Sequence, residues 1–286
     1  MKGVSHNGKA LLVGVGLYIV ILGPIIPVII QSFAFQWHWP DLLPRVWWWS
    51  VRADSTFPLA WDYVLSPYSH VFEAAGNTLF ISLSVTLLAL ILCLPAARVL
   101  VSPQFKWKTQ ILSLFTLPLI VPEMALALAF LAVFIPLGLA GTYTGIIVAH
   151  LIPVLPYMMR VLVSVYQGLN PAVVEQAQLL GASRWQRQVH ITIPLLLPGI
   201  LAGCLFTLLV SSNIFLITFL VGQGRVETLP TLLFSKIGGG ALDATAAGLT
   251  LIAMIPGFIL LLATERHIRD YQRVGAVGRS IDGSHR

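Results

Sequence analysis

Residues that could do chemistry are few in this chain, and their spacing excludes most of it. Residues 3–9, Gly-Val-Ser-His-Asn-Gly-Lys, have the G-x4-G-K spacing of a phosphate-binding loop. Ala10 stands where that loop needs a hydroxyl for magnesium, and no strand precedes it, so the match is fortuitous. The seven histidines, at 6, 38, 70, 150, 190, 267 and 285, are scattered, with no H-E-x-x-H grouping. Cys93 and Cys204 lie inside apolar runs and read as small packed residues, not a disulfide or a metal pair. No catalytic residue, metal site or ATP site of the chain's own is therefore expected. Glu123 is the only acid inside a long apolar run. A charge there costs roughly 2.5–3.5 kcal/mol on insertion scales and should face protein or a cavity. Ser211, Ser212 and Asn213 form a second polar point at lipid depth and should turn inward.

The stretch with the most local information is 170–199. Asn170 is placed as an N-cap, Pro171 at the first helical position, and Glu175 in or just past the first turn. Val173, Ala177 and Leu180 repeat at i, i+4, i+7, and Gly181 is the expected stop. Arg184, Arg187 and Pro194 follow before the next apolar run. This is the pattern of a short two-faced helix against a membrane, its polar side toward water or a protein.

The elements that must carry these residues are membrane helices. Of 286 residues, 57% are hydrophobic and 10% charged, against about a quarter charged in soluble domains. The apolar runs are too long for barrel strands, and a bilayer demands internally bonded backbone. Six spans are expected, at 10–33, 77–101, 109–135, 143–165, 195–221 and 244–263. Thirteen Lys and Arg fall on the side of the termini and of the 166–194 loop, and four on the other. The 1–9 segment, that loop and the 266–286 tail are therefore expected in the cytoplasm. This sorting by side also argues against nucleic acid as the reason for the +6 charge. No cleavage site follows the first run, which reads as an uncleaved helix.

The external segment 34–76 holds six of the eight tryptophans and is broken by Pro40, Pro44, Pro58 and Pro67. It reads as an elbow at headgroup depth, in preference to an aromatic sugar platform. The basic loop 98–108 suits acidic lipid headgroups. His150 reads as a packed, hydrogen-bonded residue. Glu123 has two readings. It lines a pathway, or it sits near a helix end where Pro118 and Pro122 free backbone N–H groups.

At 175–194 the sequence resembles the cytoplasmic loop of ABC-importer permease subunits, whose pattern is E-A-A, three residues, G, nine residues, I-x-L-P. Glu175, Ala177, Gly181, Ile191 and Pro194 match, while Gln176 replaces an Ala and Ile193 a Leu. Gly222-x-Gly224, Thr228-Leu229-Pro230 and the L-P-x-x-x-P-E run ending at Glu123 resemble the polyamine, phosphonate, iron and thiamine permeases. That likeness implies an all-α, polytopic permease of the bacterial inner membrane, with a 77–265 core. It implies ATPase coupling through Glu175, Gln176, Ala177, Gly181, Ala182, Ile191 and Pro194. It implies a second permease, by likeness a different chain; two ATPase subunits carrying ATP and magnesium; and a periplasmic binding protein. The implied substrate is a small polar solute of the polyamine or phosphonate class, with Glu123, Ser212 and Asn213 as pathway candidates. Polyamine members often carry an acidic pair where Ser212 and Asn213 stand, so this pair does not select a cation. An ion-coupled secondary transporter is the alternative, but such proteins carry several intramembrane ionisable groups.

Overall fold

The computed structural model describes residues 14–16, 19–20, 22–37, 40–51, 60–238, 243–259 and 262. The expected cytoplasmic ends, the 3–9 loop and parts of the first and last spans lie outside them. In chain order the elements are α1 (Ile25–Ser32), β1 (Ala34–Gln36), β2 (Val46–Trp47), α2 (Trp48–Val51), α3 (Trp61–Val64) and α4 (Val71–Val101). Then come α5 (Lys108–Thr116), α6 (Glu123–Phe134), α7 (Tyr143–Gly168), α8 (Pro171–Leu179) and α9 (Arg184–Arg187). A π-helical turn at Gln188–Thr192 leads into α10 (Ile193–Asn213), α11 (Leu216–Gly222), α12 (Leu229–Gly238) and α13 (Ala244–Ile259). They fall into two compact units, the described parts of Met1–Ala74 with Leu232–Ile255 and of Ala75–Thr231 with Pro256–Arg286.

Among the described residues, three helical runs are long and apolar enough to cross a bilayer: α4, α7 and Arg184–Asn213. With 31 residues α4 is about 46 Å long, well over the roughly 30 Å of hydrocarbon, which lets Arg98 reach headgroup depth. Two expected spans differ. The run at 109–135 is a bent pair, Lys108–Leu119 and Glu123–Phe134, at 91°. Pro118 and Pro122 have no N–H to donate, and Pro122 caps α6 with an extended ψ of 134°. The run at 195–221 ends as a helix at Asn213, turns extended at Ile214 (ψ 115°), and restarts at Leu216.

The larger unit is built on small residues. On α4, Ile81, Val85, Ala89, Cys93 and Ala97 recur every four residues and are all buried. They join Ile146, Ala149, Val154, Met158 and Leu162 of α7 and Leu196 and Ile200 of α10 in one core. A Cβ on Gly199 would lie 2.2 Å from Val165 Cγ2, and one on Gly203 would lie 3.2 Å from Met158 Sδ. The α7 and α10 backbones therefore meet through glycine, as lipid-embedded helices do when packing replaces hydrophobic drive. Leu83, Leu87, Ile91 and Val99, on the other face of α4, are exposed.

The smaller unit carries the tryptophan-rich segment. Inside the otherwise helical chain, β1 and β2 pair antiparallel, Ala34 opposite Trp47 and Gln36 opposite Val46. Arg45 donates to Asp41 at 2.6 Å, and the adjacent carboxylate holds the guanidinium pKa above its usual value. Trp47 stacks on Trp49 at 4.7 Å, and Phe33 lies 5.9 Å from Trp61. Lys236 donates to the Tyr63 hydroxyl at 2.6 Å and lies over its ring.

Candidate functional site: an exposed helical segment and a facing pair of helix breaks

The 170–194 segment closes each of its turns with its own residues. The Asn170 side chain accepts the Ala172 N–H at 3.0 Å, with Pro171 following as the first helical residue. At the other end of α8, Gly181 N–H donates to Gln178 O and Ala182 N–H to Ala177 O, both at 3.0 Å. These two bonds, with Gly181 at φ +86°, form a Schellman stop. Two residues on, Ser183 and Gln186 close a capping box: Ser183 N–H to Gln186 Oε1 at 2.8 Å, and Gln186 N–H to Ser183 Oγ at 3.3 Å. The Arg187 side chain reaches back to the Gln178 amide and ties α9 to α8.

Glu175 and Gln176 of this segment are exposed, and Ala177 and Ala182 are half-buried. The apolar face expected from Val173, Ala177 and Leu180 is not covered by this chain. Leu179, Leu180 and Trp185 are 87%, 88% and 75% exposed. Three large apolar side chains thus stand uncovered on an otherwise polar turn, the kind of patch that marks an interaction site. Leu179 and Trp185 carry no periodic signal, which is why the spacing alone missed them. Ile191 lies in the π-helical turn and Pro194 in the first turn of α10.

The two breaks in the larger unit face one another. Glu123, at the start of α6, accepts the Leu216 N–H at 3.1 Å, so its carboxylate satisfies the first turn of α11. On the other side of the same break, His150 of α7 bonds Ser211 Oγ of α10 at 3.1 Å and Thr218 Oγ1 of α11 at 2.8 Å. His150 is 1% exposed, and both ring nitrogens are engaged, as the packed reading required. Ser212 and Asn213 bond back to Leu209 O of their own helix at 3.0 and 2.8 Å. Glu123 and Asn213 nevertheless remain exposed on this chain. Broken helices with polar ends at membrane depth belong where they line a cavity or meet protein, not lipid. Ser211 was expected to turn inward and does; Thr218 and the Leu216 N–H were not singled out, because their partners lie 68 and 93 residues away.

At the far end of the same unit, Gln223 and Gly224 take positive φ and turn the chain after α11. Asn77 Nδ2 holds Glu227 O at 2.8 Å, Thr78 Oγ1 accepts Leu229 N–H at 2.9 Å, and Tyr143 donates to Asn77 Oδ1 at 2.8 Å. Glu227 and Leu229 thus pin this turn to the start of α4.

A mostly helical chain with apolar, broken spans and an exposed helix between them is consistent with a membrane permease. Over residues 89–270 it matches the family described as "Binding-protein-dependent transport system inner membrane component", and it belongs to that family. It is 25% identical over 245 residues to a Salmonella typhimurium protein described as the 2-aminoethylphosphonate transport system permease PhnV, covering 85% of this chain and 87% of that one. It is 23% identical over 262 residues to the spermidine/putrescine transport system permease PotC of Escherichia coli, covering 89% and 91%. A solved bacterial ABC transporter, involved in import of the acidic polysaccharide alginate, has a chain of the same fold. Its TM-score is 0.69 at 16% identity, over 93% of this chain and 99% of that one. The chain is thus a multi-pass permease component of an ABC-type importer, a family whose members work with ATPase and substrate-binding partners and have no ATPase site of their own.

Proposed function

We propose that this chain forms half of the translocation pathway of an ATP-driven importer and receives the motor's movement through the 170–194 loop. The observation that carries the reading is the exposed Leu179, Leu180 and Trp185 beside Glu175 and Gln176, on a turn locked at both ends. In this reading the termini and the loop face the cytoplasm. Two ATPase subunits hold ATP and magnesium and dock on this helix and its counterpart in a second, different permease. A periplasmic binding protein delivers the solute. ATP closure moves each docked helix as a rigid body, and the attached spans exchange access from one side to the other. The exposed Glu123 and Asn213, with Ser212, line the path or meet the second permease.

The substrate in this reading is a small polar solute of the phosphonate or polyamine class, supported by what PhnV and PotC carry by name. The neutral Ser212-Asn213 pair favours neither sign of charge. Cross-linking from Ala177→Cys in the assembled importer tests the docking. Capture of an ATPase subunit is expected, and capture of lipid alone overturns the reading. Uptake assays with an aminophosphonate and a diamine decide between the two classes.

A further inference from the structure

One contact ties the exposed segment to the spans from the side. Arg98, in the last turn of α4, donates from Nη1 to Gln188 Oε1 at 2.8 Å, ninety residues away in sequence. Gln188 is the first residue of the π-helical turn that leads into α10. The Gln188 amide oxygen can accept from a guanidinium, as a Glu carboxylate also can and a Leu side chain cannot.

The rest of the segment is bonded to itself. The Schellman stop, the Ser183–Gln186 box and the Arg187–Gln178 contact make α8 and α9 one stiff body. Where α8 leaves α7, a cavity of about 360 Å³ opens, lined in part by Val165, Asn170, Val173, Leu195 and Pro198. Packing therefore does not fill the space between the start of α8 and the two spans beside it. The π-helical turn is the other feature, since such single wide turns inside α-helices are rare and occur often at functional sites.

We infer that the Arg98–Gln188 contact is the joint through which displacement of the α8–α9 body reaches α4. Gln188 is a positioning residue for coupling, and it touches neither nucleotide nor solute. The inference rests on the proposed docking of an ATPase at α8.

The test uses the complete importer in nanodiscs, with its ATPase subunits and its binding protein as isolated with bound solute. Two quantities are read: basal ATP turnover, and its stimulation by the binding protein. For Gln188→Leu, basal turnover is expected to persist while stimulation falls by about tenfold, within the range by which single links modulate coupling. Gln188→Glu, which keeps the Arg98 bond, is expected to retain most of the stimulation. Arg98→Gln combined with Gln188→Arg is expected to recover what each loses alone. A contact that only aids folding would lower assembly and leave the stimulation ratio of assembled complexes unchanged. An unchanged ratio in Gln188→Leu overturns the joint; should that variant not assemble, an unchanged ratio in Arg98→Gln overturns it equally. The Ala177→Cys cross-link to the ATPase is run alongside. If it forms while the ratio stays constant, only the joint fails; if it does not form, the docking itself fails.

Discussion

At 180–183 and at 214–215 the larger unit makes two non-helical joints, and they are held in opposite ways. The first turns between α8 and α9 on bonds that reach no further than nine residues, with Gly181 supplying a positive φ and Ser183 a cap. It is exposed, and no long-range side chain touches its turn. The second has an extended Ile214, whose carbonyl accepts from Thr218 Oγ1 at 3.0 Å. Beyond that local bond, its Leu216 N–H is met by Glu123 of α6 across 93 residues, and its flanking Ser211 and Thr218 hydroxyls by His150 of α7 across 61 and 68. A joint in water can rely on neighbours in sequence, because solvent satisfies whatever remains. A joint at lipid depth has no such solvent and must recruit polar groups from other helices. The difference means that the outer joint is formed by its own stretch of chain, while the inner one depends on the packing around it.

That contrast can be broken in several places. The largest effect is expected for Gly181→Asp. It puts a side chain where φ is +86° and a charge beside the exposed apolar surface, so uptake should fall to background while membrane insertion is kept. Uptake normalised to inserted protein measures it, and normal uptake would remove the outer joint from the mechanism. At the inner joint, His150→Ala leaves two hydroxyls without their shared partner and opens a void, costing about 2–4 kcal/mol. Unfolding in detergent reads that loss, and a cost near zero would mean the break is held by packing alone. Gly199→Ala should cost about 1–3 kcal/mol by the same measurement, since its Cβ would run into Val165.

Smaller effects sharpen the comparison. Ser183→Ala removes half of the capping box and should cost about 1 kcal/mol, without altering the inner joint. Hydrogen exchange confined to 180–187 would report it. Glu123→Gln is expected to change least, because the amide oxygen still accepts the Leu216 N–H. Transport lost with assembly intact would assign the carboxylate's charge to the pathway instead of the cap.

Read in sequence alone, the membrane class and the helical character came from apolar run length, which composition reports directly. The outer joint was equally legible. Asn170, Pro171 and Gly181 act within one turn of themselves, so their types predict the start and stop that the structure has. Spacing said less where the outcome depended on contact. It drew continuous runs at 109–135 and 195–221, and the structure breaks both, the first beside Pro118 and Pro122 and the second after the Ser-Ser-Asn run. It placed Leu180 on an apolar face, and no part of this chain covers that side chain.

What residue types determined here is therefore local: which segments suit lipid, where α8 begins and ends, and that Glu123 needs a partner. Only the tertiary structure decided who the partners are. The Leu216 N–H for Glu123, Ser211 and Thr218 for His150, and Gln188 for Arg98 are pairings across 61 to 93 residues. Sequence distance carries no record of them, because a buried polar group is satisfied by whichever helix packing brings within about 3 Å.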